Sequence, residues 1–157
     1  VKSTDPDSEN YAISNIIRFS PQEDLTKAAF ASLFVDETDI PTVTQATSVF
    51  DDVPSDAWYG PHVSALYELG LIDSTQSEYQ PDSLVSRAEA LRLVTDYCDL
   101  DLEFPAENSV IDVPVDHPIY PYFETFYRNG KGRIFREQFS PDLPANKNYL
   151  KYLVNEC

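Results

Sequence analysis

The sequence contains no methionine, only four glycines and two cysteines, and few basic residues. Four glycines leave little material for phosphate-holding loops, and no nucleophile elbow or zinc-binding cysteine spacing is present. No stretch approaches the roughly 20 consecutive apolar residues of a membrane-spanning helix. These absences predict a non-catalytic protein with no cofactor, no metal site and no membrane insertion.

Positive charge is scarce: 11 basic residues stand against 27 acidic ones, for a net charge of −16. Such a field repels nucleic acid, so no nucleic-acid partner is expected. Two acid-rich stretches, 51–56 and 96–103, lack the spacing and central glycine of an EF-hand and are interpreted as solvated surface. The basic residues that do cluster are interpreted as a solvated loop; they are Arg128, Lys131, Arg133 and Arg136.

What the sequence does contain is an internal repeat. Residues 50–98 align with 110–157 at an offset of 60 as far as Asp142, where one residue is deleted and the offset becomes 59. A partial third copy precedes them, because 19–21 and 26–28 lie 60 residues before their counterparts. Fixed-period self-similarity is typical of repeat architectures. The matching segments are Asp52-Val53-Pro54 with Asp112-Val113-Pro114, Gly70 with Gly130, and Tyr79-Gln80-Pro81-Asp82 with Phe139-Ser140-Pro141-Asp142.

These copies predict one domain, 1–157, of about two and a half repeats. The front half of the first copy would have to precede residue 10, and residues 1–9 are too polar to be its helix. We therefore expect a lost N-terminal segment, or another protein chain, to complete the first repeat. The predicted parts are an arm 1–18 (helical or extended), a partial repeat 19–49, a repeat 50–98, an acidic linker 99–109 and a repeat 110–157.

Each full copy reads as helix, loop, helix, which makes the predicted fold all-α. In the middle copy, Val63, Leu66 and Tyr67 have helical spacing, and Gly70 ends that helix. Ser86 and Glu89 form a capping-box pattern that starts the second helix, and Thr26 is the corresponding cap in the first copy. Such short helices require packing against neighbouring copies.

The middle copy resembles an S-layer homology motif, and the resemblance extends over about residues 19–157, with the first and third copies degenerate. The residues that carry it are Phe50-Asp51-Asp52-Val53-Pro54, Trp58, Gly70-Leu71-Ile72, Tyr79 with Pro81, and Val85-Ser86-Arg87-Ala88-Glu89-Ala90. The resemblance implies helix-loop-helix repeats around a pseudo-threefold axis. It also implies a secreted module at the cell surface or cell wall that binds bacterial cell-wall polysaccharide in grooves between repeats.

Carried over by position, the resemblance makes Arg87, Asp52 and Trp58 candidate glycan-binding residues, with Lys27 at the arginine position of the first copy. At offset 59 the last copy has Asn146 there and Asn148 at the position of Glu89, and at offset 60 it has Pro118 at that of the tryptophan. Asparagine cannot replace a bidentate guanidinium. Two alternatives stay open: Arg87 binds the glycan or forms a structural ion pair, and Trp58 stacks on a sugar or packs the repeat.

Cys98 and Cys157 occupy the same position in consecutive copies. If the second helices converge, a disulfide between them is feasible and would indicate an extracytoplasmic location; the alternative is two buried thiols. The leading hypothesis is a module that anchors or assembles a surface structure through cell-wall polysaccharide. The alternative is a structural or interaction subunit of a surface assembly whose repeats make protein contacts and bind no glycan.

Overall fold

The computed structural model describes residues 23–42, 49–73, 75–135 and 138–157. The predicted arm 1–18 lies outside these ranges. The described residues form helices and no strand, apart from three isolated β-bridges, so the all-α prediction is confirmed. The helices are α1 (Lys27–Glu37), α2 (Gly60–Glu68), α3 (Arg87–Tyr97), α4 (Tyr120–Arg128) and α5 (Lys147–Glu156).

The second helix of each copy starts at a side-chain cap. Thr26, Ser86 and Asn146 are the N-caps of α1, α3 and α5, and each accepts a hydrogen bond from a backbone N–H three residues later. Ser86 and Glu89 form the predicted capping box, with both reciprocal bonds present. Capping satisfies backbone donors that have no partner inside the helix, so it sets where each helix begins.

The caps correct the predicted alignment of the last copy. Asn146 is the cap, so Lys147, not Asn146, stands at the position of Arg87. Tyr149, not Asn148, correspondingly stands at the position of Glu89. The missing residue falls within the last helix, since α3 has 11 residues and α5 has 10. The hydrophobic pattern misled the alignment because the buried face of α5 is rotated relative to that of α3.

Three backbone segments that precede α1, α3 and α5 are joined in a closed cycle of hydrogen bonds. The N–H of Leu25 donates to the carbonyl of Ala145 at 2.8 Å, Ala145 donates to Val85 at 2.7 Å, and Val85 donates to Leu25 at 2.9 Å. Each segment therefore contacts both others. Three segments from distant parts of the chain thus fix the starting points of α1, α3 and α5 relative to one another.

The helices pack across the boundaries between copies. α5 contacts both α1 and α3, while α2 packs on α1 and α4 packs on α3. Each front helix therefore lies against the second helix of the preceding copy. α2 and α4 start at Gly60-Pro61 and Tyr120-Pro121, where proline at a first-turn position costs no hydrogen bond.

Cys98 and Cys157 follow α3 and α5, and the structure joins them in a disulfide with their Cα atoms 5.6 Å apart. The bond links the ends of two helices whose starting segments are already joined by backbone hydrogen bonds. α3 and α5 are thereby connected at both ends.

One face of α5 differs from the equivalent faces of α1 and α3. Ala31 of α1 and Leu91 of α3 are buried, but Lys151 of α5 is only half-buried and forms an ion pair with Glu37. The same change recurs along the helix, where Asn148 and Asn155 replace Ala28 and Val35 of α1. This face of α5 is therefore polar, whereas the equivalent face of α1 is apolar.

Candidate functional site

A groove of about 280 Å³ lies between α1, the loop that follows α2, and α3; we call it the Lys27 groove. Lys27, at the first position of α1, keeps about 25% of its side chain exposed, and its Nζ is 4.0 Å from Oε1 of Glu89. The polar lining is Lys27, Asp73, Gln76, Glu78, Glu89 and Arg92, and the apolar lining includes Phe30, Phe50, Leu71 and Ile72.

Tyr79 is a buried part of this wall and ties the groove to α1. Its hydroxyl donates a hydrogen bond to the carbonyl of Lys27 at 3.0 Å. Burial, with a smaller contribution from the charge of Glu89, raises the pKa of Tyr79 well above its ordinary value. The side chain therefore stays a neutral donor, and it holds the start of α1 against the loop that carries Glu78.

The equivalent residue of the next copy, Arg87, is buried. Arg87 is only 5% exposed. Its Nη1 donates to the carbonyl of Phe139 at 3.1 Å, and its Cζ lies 5.4 Å from the centre of the Tyr149 ring. The Tyr149 hydroxyl in turn donates to the carbonyl of Arg87 at 3.2 Å. Of the two predictions for Arg87, these contacts favour a structural role, in which the side chain contacts the Tyr149 ring and the Phe139 carbonyl.

Aromatic residues pack together in the part of the last copy that corresponds to the Lys27 groove. The ring of Phe135 lies 5.1 Å from that of Phe139, and 6.1 Å from those of both Tyr149 and Tyr152. At the matching positions of the Lys27 groove stand Thr75, Tyr79, Glu89 and Arg92. Three of these four are small or charged, so rings take up more of the corresponding space in the last copy.

Asp52 braces the loop at the edge of the Lys27 groove. Its two carboxylate oxygens accept hydrogen bonds from the backbone N–H groups of Tyr79 and Gln80, at 2.7 and 2.6 Å. Gln80 has a φ of 59°, a conformation that costs energy for a side chain other than glycine. The carboxylate holds this corner in place. Asp112 does the same for Phe139 and Ser140, at 2.8 and 2.6 Å.

Trp58 lies on the surface with 64% of the residue exposed. Its ring meets that of Tyr59 edge to face, with centres 5.4 Å apart. Trp58 does not line the Lys27 groove, so the structure brings only Lys27, of the four candidate glycan-binding residues, into its lining.

Glu89 and Arg92 are groove residues that the sequence analysis did not select. Glu89 was assigned to the capping box, where it accepts from the N–H of Ser86 at 2.8 Å, yet its side chain also lines the groove. The available signal was the three-residue spacing of Glu89 and Arg92, which places both on one face of α3.

In the described ranges, neither acid-rich stretch contributes to a group of three or more potential metal ligands.

Residues 49–91 match the family model of the S-layer homology domain. The chain contains an S-layer homology motif. The match confirms the resemblance inferred from the sequence for the middle copy. An 86-residue segment, 54% of this chain, is 27% identical to the surface-layer 125 kDa protein of Lysinibacillus sphaericus, and it covers 7% of that protein's length. None of the described helices is long and apolar enough to cross a membrane.

Proposed function

We propose that this chain is a non-catalytic cell-surface module that anchors or assembles a surface structure by binding bacterial cell-wall polysaccharide in the Lys27 groove. The observation that carries the proposal is the open groove of about 280 Å³, which α1 forms together with residues in or directly after the S-layer homology match. Its position between two copies agrees with where the family resemblance expects the ligand.

The lining of the Lys27 groove suits a sugar. Phe30 and Leu71 contribute apolar surface, while Lys27 and Arg92 carry N–H donors and Glu89 carries acceptor oxygens. A sugar ring combines an apolar face with hydroxyl groups that both donate and accept, so it can satisfy all of these groups at once. An acidic substituent would be placed best against Lys27, whose ammonium has three donors.

We further propose that the copies are arranged around a pseudo-threefold axis. The cycle of hydrogen bonds through Leu25, Val85 and Ala145, which are 60 residues apart, supports this arrangement. A location outside the cytoplasm is supported by the Cys98–Cys157 disulfide, because disulfides persist mainly in oxidising compartments.

Co-sedimentation of the purified chain with cell-wall sacculi tests the proposal. Lys27→Ala should weaken binding about tenfold, since it removes a charged donor from the groove. Lys151→Ala is the matched control, because Lys151 is a half-exposed lysine that pairs with Glu37 outside the groove. Equal binding by Lys27→Ala and the unmodified chain would exclude the Lys27 groove as the polysaccharide-binding site.

The same experiment separates the two candidate functions. A chain that does not sediment with sacculi at all would refute glycan binding and would favour a role in protein contacts.

A further inference from the structure

The last copy carries a reversal of charge that the fold does not require. Where the middle copy has Glu68, Leu71 and Asp73, the last copy has Arg128, Lys131 and Arg133. Equivalent backbone positions therefore change from two negative charges to three positive ones. Both copies form the same helix and turn here, since α2 and α4 each have nine residues and each is followed by a glycine with positive φ.

A buried carboxylate holds Arg128 in place. Glu124 is fully buried, and its oxygens accept hydrogen bonds from the N–H of Ser109 at 2.5 Å, the hydroxyl of Ser109 at 2.7 Å and Nε of Arg128 at 3.1 Å. The guanidinium also donates from Nη2 to the carbonyl of Glu107 at 3.3 Å. A charged group that is buried among three donors has little freedom to move, so it fixes the orientation of the arginine.

The middle copy folds without this network. Ser64 stands at the position of Glu124, Val49 at that of Ser109 and Glu68 at that of Arg128. α2 nevertheless packs on α1 as α4 packs on α3. Because one copy shows that the helix can dock without a buried carboxylate, the network in the other copy is not explained by folding alone.

The oriented arginine lines a surface recess of about 490 Å³, which we call the basic recess; it is formed by Ser109, Tyr127, Arg128, Gly130 and Arg133. Arg133 lies close to Gly130, since a Cβ built on Gly130 would be 3.7 Å from Nη2 of Arg133. The carboxylate of Glu124 is already paired with Arg128. Lys131 adjoins the recess and donates to the backbone carbonyls of Glu156 and Cys157.

We propose that the basic recess is an oxyanion-binding site, in which Arg128 and Arg133 bind a phosphate or carboxylate group and Glu124 is a positioning residue for Arg128. A planar guanidinium offers paired N–H donors that match both kinds of anion. The recess is separate from the Lys27 groove, with which it shares no lining residue. The proposal is therefore independent of polysaccharide binding in that groove.

Amide chemical shifts of the ¹⁵N-labelled full chain test the site. Sodium phosphate and, separately, sodium malonate are titrated at constant ionic strength made up with chloride. Saturable shifts at Ser109, Gly130 and Arg133 are expected for at least one of the two anions, and which anion acts distinguishes a phosphate from a carboxylate ligand. Arg133→Gln should weaken binding at least about tenfold, and Lys151→Gln should leave it unchanged.

Glu124→Gln tests the positioning role. The substitution makes the recess more positive, so a site that only concentrates positive charge would bind phosphate or malonate more tightly. If Glu124 orients Arg128, binding weakens while the remaining amide spectrum keeps its folded pattern. The proposed oxyanion site would be refuted if neither anion gave saturable shifts, or if Arg133→Gln bound with unchanged affinity. If Glu124→Gln does not fold, Arg133→Gln still tests whether the recess binds an anion.

Discussion

Removing the Cys98–Cys157 disulfide should lower the free energy of unfolding by about 4 kcal/mol. The two cysteines are 59 residues apart, and a crosslink that closes a loop of this length restricts the unfolded chain by roughly that amount in the chain-entropy description. Cys98 is half-buried and Cys157 exposed, so replacement by serine removes little packing of its own. The unfolded state, not the folded one, accounts for most of the expected loss.

Urea unfolding of the double variant Cys98→Ser/Cys157→Ser measures this loss. With a slope of about 2 kcal/mol per molar, typical of small proteins, the midpoint should fall by about 2 M, with the slope itself little changed. The unmodified chain in reductant should show the same midpoint as the variant, since both lack the crosslink. A midpoint shift below about 0.5 M would refute the reasoning, because the unfolded chain would then already be restricted without the bond.

Two further predictions concern residues carried over as glycan ligands. Arg87→Gln should destabilise the domain by about 2–4 kcal/mol in urea unfolding, because the Phe139 carbonyl loses its guanidinium donor and the Tyr149 ring loses its cation. The folded variant should bind sacculi as before, and reduced binding at full stability would indicate that Arg87 is a ligand. Asp52→Ala and Asp112→Ala should each cost about 1–3 kcal/mol by the same measurement, because each leaves two backbone N–H groups without their carboxylate. A loss confined to Asp52→Ala would contradict the equivalent bracing of the two corners.

The helices and their starting points were predictable from local residues. Ser86 with Glu89 and Thr26 each cap a helix, and capping depends on side chains within three residues of the backbone groups that they satisfy. Gly70 likewise marks the end of α2 through its positive φ of 71°. In the last copy the asparagine cap at Asn146 was overlooked, because the alignment followed apolar spacing instead of capping chemistry.

The motif did not predict that Lys27, and not Arg87, lines an open groove. Arg87 and Lys27 occupy equivalent sequence positions, and arginine is the stronger match to the family. Their environments differ because Tyr149, 62 residues from Arg87, packs over the guanidinium, whereas Glu89 stands at the corresponding place beside Lys27. Whether a candidate binding residue is exposed or covered depends on the side chains that the next copy packs against it. Those side chains lie far away in the sequence.

The sequence by itself determined the all-α class, the repeat, two of its three caps and its family resemblance, since each of these can be recognised from the order of residues along the chain. Only the tertiary structure decided which candidate residues line an open groove. It placed Lys27 in such a groove, Arg87 under the Tyr149 ring and Asp52 against a strained backbone corner. It also set Arg128 on a buried carboxylate. The physical reason is that exposure and pairing are set by contacts between copies, which residue spacing within one copy does not specify.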